Sequence, residues 1–245
     1  MKESIFTIKS TRYLAADTYE IVLSGDTSAI VLPGEFVNLE LPGKYLRRPI
    51  SICDWTENTL TLLVKAVGEG TRELVALKPG TELSTLSGLG KGFDFHTAGE
   101  HPVLVGGGIG IAPLFGLARR MLAEGIKPVV ALGFRSKADS FYIEEFEQLG
   151  CEVLVATEDG SLGMKGFVTD LVRSRPERDY ALVCGPTPML KAVHALEQLQ
   201  DGQFSFEARM ACGFGACVGC SIPTANGMKR VCKDGPIFTK EEIVW

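Results

Sequence analysis

The chain carries little concentrated positive charge and no long unbroken apolar run. Its 245 residues include 25 Lys and Arg against 30 Asp and Glu, a formal net charge of −5, and Lys or Arg never occur more than two in a row. This pattern argues against a nucleic-acid-binding surface. The longest uncharged run, residues 102–118, contains five glycines and two prolines, so we expect no membrane span.

Histidine is scarce, and the first residues lack the apolar core of a secretory signal. The three histidines stand in no triad-like context, so we expect no general acid–base pair. Three of the seven cysteines are scattered among apolar neighbours, as reduced cytoplasmic thiols are. These features predict a cytoplasmic protein, and the length leaves room for two domains of ordinary size.

Four of the seven cysteines lie close together near the end of the chain. Their spacing is C-x4-C-x2-C-x11-C, and the residues are Cys212, Cys217, Cys220 and Cys232. A C-x4-C-x2-C group with one further cysteine is the ligand pattern of plant-type [2Fe–2S] clusters, and the intervening glycines let the backbone curl around the sulfurs. A four-cysteine zinc site, which more often shows two separated C-x2-C pairs, and disulfides remain as alternatives.

Residues 1–98 are predicted to form an antiparallel β-barrel or sandwich. Short strand-like runs alternate with Pro-Gly turns, which is typical of all-β domains. The predicted strands are 5–10, 19–23, 36–41, 49–54 and 60–65, and a short helix is predicted at 70–77.

Two motifs in this domain point to ligand binding. The stretch Arg48-Pro49-Ile50-Ser51 begins a strand with a cation and a hydroxyl that could meet a bound anion or ring, although a solvated arginine on an edge strand would look the same. Gly70-Thr71 completes a Gly-x-Gly-Thr turn that opens the predicted helix, where N–H groups and a hydroxyl suit a pyrophosphate. Most such turns are merely turns, so the order of the two motifs carries more weight than either alone.

From residue 99 to 206 the pattern changes to alternating strands and helices. This alternation predicts a doubly wound parallel sheet with helices on both faces, and ligands of such sheets lie beyond the carboxyl ends of the strands. The predicted strands are 102–105, 128–133, 152–156 and 180–184, and the predicted helices are one ending near 124 and the stretches 141–149, 167–173 and 187–200.

Four stretches follow strands of this predicted sheet. The glycine-rich stretch 106–113 offers bare backbone and a helix N-terminus to a dinucleotide, although it departs from the G-x-G-x-x-G fingerprint and could serve packing alone. Cys184-Gly185-Pro186 ends another strand, where a buried inert thiol is the plain alternative. Thr157 and Asp159 are candidate ribose contacts, and the basic stretch 135–137 leaves NADP open beside NAD.

Taken in order, these stretches resemble the ferredoxin reductase superfamily, in which a flavin-binding barrel precedes a nicotinamide-binding domain. The resemblance implies FAD and NAD as cofactors, and Ile50 stands where members often carry a tyrosine stacked on the flavin. It implies that the flavin is held by Arg48, Pro49, Ile50, Ser51, Leu63, Val64, Lys65, Gly70 and Thr71. It implies that the nicotinamide nucleotide lies against Gly108, Gly110, Pro113, Gly185 and Pro186, with Cys184 orienting the nicotinamide ring.

With residues 207–245 as a [2Fe–2S] cluster-binding segment, the chain resembles the electron-transfer subunits of bacterial dihydroorotate dehydrogenase B over essentially its whole length. The cysteine spacing and the Met-Ala-Cys-Gly entry are the most specific part of this resemblance. It implies an FMN-containing catalytic subunit as partner, in a heterotetramer of two of each, and electrons passing from dihydroorotate through the cluster and FAD to NAD+. Phe214, Val218 and Ile222 would then either dock on that partner or only cap the cluster.

Other proteins of the same architecture remain as alternatives. The chain could serve a hydrogenase, a sulfide dehydrogenase or a ferredoxin:NADP transhydrogenase with the same fold and cofactors. A redox sensor with a degenerate nicotinamide site is a further alternative, and the intact stretches 106–113 and Cys184-Gly185-Pro186 speak against it.

Overall fold

Six antiparallel strands close into a barrel in the computed structural model, which describes residues 1–99 and 101–245. The barrel elements are β1 (Lys2–Ala15), β2 (Thr18–Ser24), β3 (Phe36–Leu39), β4 (Arg48–Trp55), β5 (Thr59–Lys65), α1 (Glu69–Ala76) and β6 (Glu82–Leu89). The strands follow one another around it in the order β1, β2, β5, β4, β3, β6. The predicted antiparallel barrel is confirmed. Strand β6 is not among the five predicted strands. Its buried positions include Thr85 and Ser87, so it lacks an apolar alternation in the sequence.

Inward-facing apolar side chains fill the barrel. Because successive side chains of a strand point to opposite faces, Phe6 and Ile8 of β1 and Ile21 and Leu23 of β2 all reach the interior, where each is at most 1% exposed. The barrel therefore has a core of its own, and its outer face is left to contact the rest of the chain.

The second unit is a seven-stranded sheet flanked by helices. Its elements are β7 (Pro102–Gly107), α2 (Ala112–Ala123), β8 (Val129–Phe134), α3 (Ile143–Gln148), β9 (Glu152–Thr157), β10 (Met164–Lys165), α4 (Val168–Arg173), β11 (Tyr180–Cys184), α5 (Thr187–His194) and β12 (Asp201–Ser205), with β13 (Ser221–Thr224), β14 (Gly227–Arg230) and β15 (Ile237–Thr239) following. The order is β10, β9, β8, β7, β11, β12, β15, and all neighbours pair in parallel except β12 and β15. The predicted parallel sheet is confirmed, and its last strand comes from the C-terminal segment.

The helix predicted over 187–200 is wrong at its end, because α5 stops at His194. Leu196 and Leu199 follow in tight turns and pack against the sheet, 5% and 1% exposed. Their apolar spacing imitates a longer helix, although they are buried without helical backbone. No helix within the described residues is long and apolar enough to cross a membrane.

Strand β12 shows no alternating apolar pattern in the sequence, because several of its buried positions carry polar residues. Gln203 is 4% exposed, and its side-chain amide donates to the carbonyl oxygen of Asp94 at 2.6 Å and to the Tyr180 hydroxyl at 2.8 Å. A buried amide is tolerated when such partners are supplied, and here they come from residues remote in the chain.

The C-terminal segment joins the barrel to the sheet. Strands β13 and β14 form a hairpin, and β15 returns to pair with β12. Phe36 and Leu89 of the barrel pack with Cys220, Cys232 and Phe238 of this segment in one buried apolar cluster. The cysteine-bearing segment therefore shares a core with the barrel.

Polar contacts hold the barrel against the sheet at two places. Arg119 of α2 donates to Asp54 of β4 at 2.6 Å. Elsewhere the Tyr142 hydroxyl donates to Glu20 at 2.7 Å, and Arg12 donates to the same carboxylate. Asp54 and Glu20 are partly shielded from water, which strengthens these contacts relative to fully exposed ones.

Gly116 of α2 lies where this helix approaches β4, and we expect Gly116→Ala to destabilise the protein. A Cβ there would lie 2.6 Å from the carbonyl oxygen of Cys53, a backbone atom that cannot turn aside. The helix-propensity gain of about 1 kcal/mol is offset by an overpacking cost of roughly 1–3 kcal/mol. Urea unfolding measures the difference, and Ala123→Gly at the exposed end of α2 reports the propensity contribution alone. A more stable Gly116→Ala protein would contradict this close approach.

Candidate functional site

A cleft of about 360 Å³ lies where the barrel, the sheet edge and the C-terminal segment meet. The barrel lines it with Phe36, Pro49, Ile50, Ser51, Leu63, Val64, Lys65 and Val67. The remaining lining is Ile109, Gly110, Ala112, Cys184, Ser205, Phe206, Glu207, Ala208, Met210 and Pro236. The predicted residues outside this lining are Arg48, Gly70, Thr71, Gly108, Pro113, Gly185 and Pro186. The structure thus brings most of the predicted flavin residues together with Gly110 and Cys184.

Neighbouring strands of the barrel supply one wall of the cleft. β4 pairs with β5, and Ile50 and Ser51 of the first strand line the same cleft as Leu63 and Val64 of the second. This wall is apolar, with the Ser51 hydroxyl and the Lys65 ammonium as its polar groups. Largely apolar clefts with a few convergent polar groups are the usual form of cofactor sites.

Arg48 lies beside the first turn of α1. A Cβ at Gly70 would lie 2.3 Å from Arg48 Nε, so a side chain at position 70 would displace the guanidinium. A guanidinium next to the N–H groups of a helix start suits a phosphate pair. The Thr71 hydroxyl is already engaged in capping α1, because it accepts from the Gly68 N–H at 3.0 Å and donates to the Gly68 carbonyl at 3.1 Å.

Close backbone packing brings the glycine stretch to the end of β11. A Cβ at Gly110 would lie 2.5 Å from the carbonyl oxygen of Cys184, so only glycine permits this approach. Gly108 has a φ of +53° with open space around it. Pro113 lies in the first turn of α2, where its missing N–H is no loss. The dinucleotide edge predicted from the sequence thus places a half-buried Gly108 and a buried Gly110 beside the end of β11 at Cys184.

Cys184 is shielded from water and keeps its proton. Burial, followed by the charge of Glu207, raises the pKa of its thiol to about 12. A neutral thiol fits an orienting contact better than a nucleophile. Burial likewise raises the pKa of the Glu207 carboxyl in the cleft.

Ser205 and Glu207 are cleft residues that sequence reasoning misses. They reach Cys184 because β12 pairs in register with β11, which places Ser205 opposite Cys184. Since β12 itself carries no readable strand pattern, no local signal in the sequence identifies them.

The loops beyond β8 and β9 are largely occupied by contacts of their own. Arg135 donates to Asp139 at 3.1 Å, and the Ser136 hydroxyl donates to the same carboxylate at 2.7 Å. The Thr157 hydroxyl donates to the Leu162 carbonyl at 2.8 Å within its loop. The basic stretch 135–137 therefore offers less free positive charge to a 2′-phosphate than the sequence suggests.

The four cysteines of the C-terminal loop come together as two pairs. The Sγ atoms of Cys212 and Cys217 lie 3.4 Å apart, and the Cys232 N–H donates to Cys220 Sγ at 3.5 Å. The first pair is half-buried, whereas Cys220 and Cys232 are 2% and 1% exposed. All seven cysteines are free, and 3.4 Å far exceeds the disulfide bond length of about 2.05 Å.

Backbone N–H groups surround the first sulfur of this loop. Burial raises the pKa of the Cys212 thiol, but hydrogen bonds from the backbone of Cys217, Phe214 and Gly215 outweigh burial and lower that pKa to about 6. Positive φ angles of +75° at Gly213 and +89° at Gly215 permit the required curl. The loop is therefore arranged for a thiolate, which is the form that ligates iron.

The pairwise arrangement fits a two-iron cluster better than a single zinc ion. A tetrahedral zinc site with Zn–S bonds of about 2.3 Å needs all four sulfurs within about 3.8 Å of one another. In residues 1–99 and 101–245, no three His, Cys, Asp or Glu side chains converge closely enough to hold one metal ion. Two sulfur pairs match a [2Fe–2S] cluster, in which four cysteines serve two irons.

The fold combines a closed antiparallel barrel, a largely parallel sheet beside a cleft and a four-cysteine loop. This is the fold of a flavin- and nicotinamide-dependent reductase of the ferredoxin reductase type. Two family models match the chain. The iron–sulfur cluster binding domain of dihydroorotate dehydrogenase B matches residues 207–244, and the oxidoreductase NAD-binding domain matches residues 104–195. These matches agree with the predicted cluster and nicotinamide cofactor.

Curated relatives identify the family. The chain is 42% identical to the dihydroorotate dehydrogenase B (NAD(+)) electron transfer subunit of Shouchella clausii, over 99% of this chain and 98% of that one. It is 41% identical to the protein of the same name from Bacillus caldolyticus, over 97% of both chains. The chain belongs to the family of dihydroorotate dehydrogenase B electron transfer subunits, so the recognition made from the sequence is confirmed.

Solved structures agree with this fold. The chain superposes with a TM-score of 0.88 and 29% identity on an NADH-dependent reduced ferredoxin-NADP oxidoreductase that was studied for flavin-based electron bifurcation, covering 98% of this chain and 90% of that one. The cytochrome P450 reductase of Amycolatopsis gives a TM-score of 0.71 over 81% of this chain and 67% of that one, and at 24% identity it shows the fold alone.

Replacing one cysteine of the loop should separate the cluster from the flavin. We expect Cys217→Ser to remove the visible absorption of the cluster, because serine cannot supply the thiolate, while NADH-dependent dye reduction through the flavin largely persists. Absorption spectra, an iron and sulfide count and a dye assay measure this. Cys151→Ala, which changes a thiol outside the loop, should alter neither. Loss of dye reduction with FAD still bound would contradict the order in which electrons pass.

Removing the guanidinium beside α1 should weaken FAD retention. We expect Arg48→Ala to raise the FAD dissociation constant roughly 10- to 100-fold, the loss typical of a charge-assisted hydrogen bond. Flavin absorbance retained after dilution and gel filtration measures it. Lys9→Ala removes an exposed cation from the same barrel and should have no effect. Unchanged retention in Arg48→Ala would exclude Arg48 from the flavin site.

Proposed function

We propose that the chain passes electrons from a dihydroorotate-oxidising partner subunit to NAD+. One observation carries this proposal: Phe36 both lines the cleft and packs against Cys220 and Cys232. The cleft and the cysteine loop are thus joined through one cluster of packed side chains. Redox groups held on either side would be close neighbours.

FAD would lie in the cleft along β4 and β5. Pro49, Ile50 and Ser51 would meet the ring from one strand, and the stretch Leu63-Val64-Lys65 would run along the cofactor from the other. Arg48 and the first turn of α1, including Gly70 and Thr71, would hold the phosphates. The support for this assignment is the shared lining and the fit of Arg48 over Gly70.

NAD would approach from the carboxyl edge of the sheet. The backbone at Gly108 and Gly110 and the start of α2 at Pro113 would receive the nucleotide, with Gly185-Pro186 beside it. Cys184 would orient the nicotinamide ring as a neutral thiol, in keeping with its burial. Arg135 is already paired with Asp139, so it is less available to a 2′-phosphate, which favours NAD over NADP.

The cysteine loop would hold the [2Fe–2S] cluster through its two sulfur pairs, Cys212 with Cys217 and Cys220 with Cys232. When bound, the three cofactors supply a conversion between single electrons and pairs, since nicotinamide exchanges pairs, the cluster exchanges single electrons and flavin exchanges both. The chain itself positions these groups and keeps water from the cleft.

The partner would be an FMN-containing catalytic subunit, two of each forming a heterotetramer in the cytoplasm. Phe214 and Val218 are 42% and 75% exposed beside the cluster ligands, which suits a docking surface, whereas Ile222 packs against the segment's own core. The seven free cysteines suit the reducing cytoplasm.

Reconstitution tests this function. The chain, purified without oxygen and counted for iron, sulfide and flavin, should give dihydroorotate-dependent NAD+ reduction only when an FMN-containing dihydroorotate dehydrogenase subunit is added. The partner alone and the Cys217→Ser chain with the partner serve as controls. Failure with dihydroorotate but exchange of electrons between ferredoxin and NADP would instead favour a transhydrogenase role, such as the 29%-identical solved structure suggests.

A further inference from the structure

One side chain of the barrel reaches across to the backbone of the cysteine loop. Asn38 of β3 is 1% exposed, and its amide nitrogen donates to the carbonyl oxygen of Cys212 at 3.1 Å. The two residues are 174 positions apart in the chain, so this is a tertiary contact between the barrel and a candidate cluster ligand.

The surroundings of Asn38 show that stability alone does not explain an asparagine here. Its carboxamide oxygen is buried, and none of the described residues donates a hydrogen bond to it. An unpartnered buried amide oxygen opposes folding, so a leucine of similar size would suit this strand better. What asparagine adds is the N–H directed at Cys212.

The loop is shaped to receive this amide. A Cβ at Gly213 would lie 2.4 Å from Asn38 Nδ2, and Gly213 has a φ of +75°. The backbone of the loop can therefore come against Asn38 only with glycine at this position. The Asn38 amide thus fills the space that the missing side chain of Gly213 leaves.

The strand that carries Asn38 also borders the candidate flavin residues. In the pairing of β3 with β4, Asn38 lies opposite Pro49 and Phe36 lies opposite Ser51. A hydrogen-bonded sheet is stiff, so a loop fixed to Asn38 is fixed relative to the strand that lines the cleft.

We propose that Asn38 is a positioning residue that sets the place of the Cys212 loop relative to the flavin strand β4, so that electron passage between flavin and cluster depends on it. This inference rests on the proposed function for its electron-transfer part. With NADH as reductant, NADH loses two electrons and a proton to become NAD+, and each passage onward takes one electron from the reduced flavin and adds one to the cluster.

The test uses two variants on opposite sides of the contact, each with a matched control. Asn38→Leu removes the donor. Its control, Thr85→Val, changes a buried threonine of β6 whose hydroxyl donates only to the Leu83 carbonyl of the same strand. Gly213→Ala places a methyl group against the Asn38 amide. Its control, Gly227→Ala, changes a positive-φ glycine of the same segment, where an added Cβ would meet no atom within 4 Å. All are made in the flavin- and cluster-loaded chain.

Three measurements are compared: bleaching of the cluster absorption after mixing with NADH, dye reduction by NADH, and amide hydrogen exchange over residues 211–219. We expect Asn38→Leu and Gly213→Ala to slow bleaching severalfold, because electron passage between two fixed groups slows steeply as the gap between them widens. Exchange over 211–219 should quicken in both, dye reduction should persist, and the two control variants should resemble the unaltered chain.

Unchanged bleaching in Asn38→Leu would overturn the inference, whether or not exchange changes. Zinc, or no metal, in the unaltered chain would refute the proposed function instead. Hydrogen exchange over 211–219 then decides whether Asn38 holds the loop, since that measurement needs no cluster: faster exchange supports the contact and unchanged exchange overturns it.

Discussion

The arrangement of the molecule depends on a wall that two sites share. Strand β3 is only four residues long, yet its alternating side chains serve both of its faces. Val37 and Leu39 point into the barrel core, whereas Phe36 and Asn38 face the C-terminal segment. Phe36 lines the cleft and Asn38 contacts the cysteine loop, so both sites lie against the same outer face of β3. Packing, rather than a flexible tether, therefore sets the separation between them.

Two cysteines of this chain show how strongly the surroundings decide the chemistry of one side chain. Burial at the end of β11 raises the pKa of Cys184 to about 12, whereas N–H groups of the curled loop bring that of Cys212 down to about 6. Desolvation disfavours a thiolate and hydrogen bonds to sulfur favour it. The first environment keeps a neutral thiol at the end of β11, and the second favours a thiolate, the form that a metal ligand takes.

Much of the fold and part of the site can be read from the sequence. The strand pattern of the barrel, the alternation of the sheet and the cysteine spacing are local signals, and each corresponds to the structure. Asn38, Ser205 and Glu207 have no such signal, because their roles come from strand register and from chain segments far apart. Strand β12 cannot be predicted from its sequence for the same reason. Its buried Gln203 finds hydrogen-bond partners only in residues far away in the chain.

The return of β15 to β12 has a consequence for how the metal centre is assembled. The cysteine segment leaves the sheet after Ser205 and comes back at Ile237, which lies opposite the same residue. Both ends of this excursion are thus anchored by strand pairing that involves none of the four cysteines. Many small metal-binding domains fold only when the ion binds. Here strand pairing independent of the cysteines holds both ends of the segment, so loss of the cluster should leave the barrel and the sheet folded.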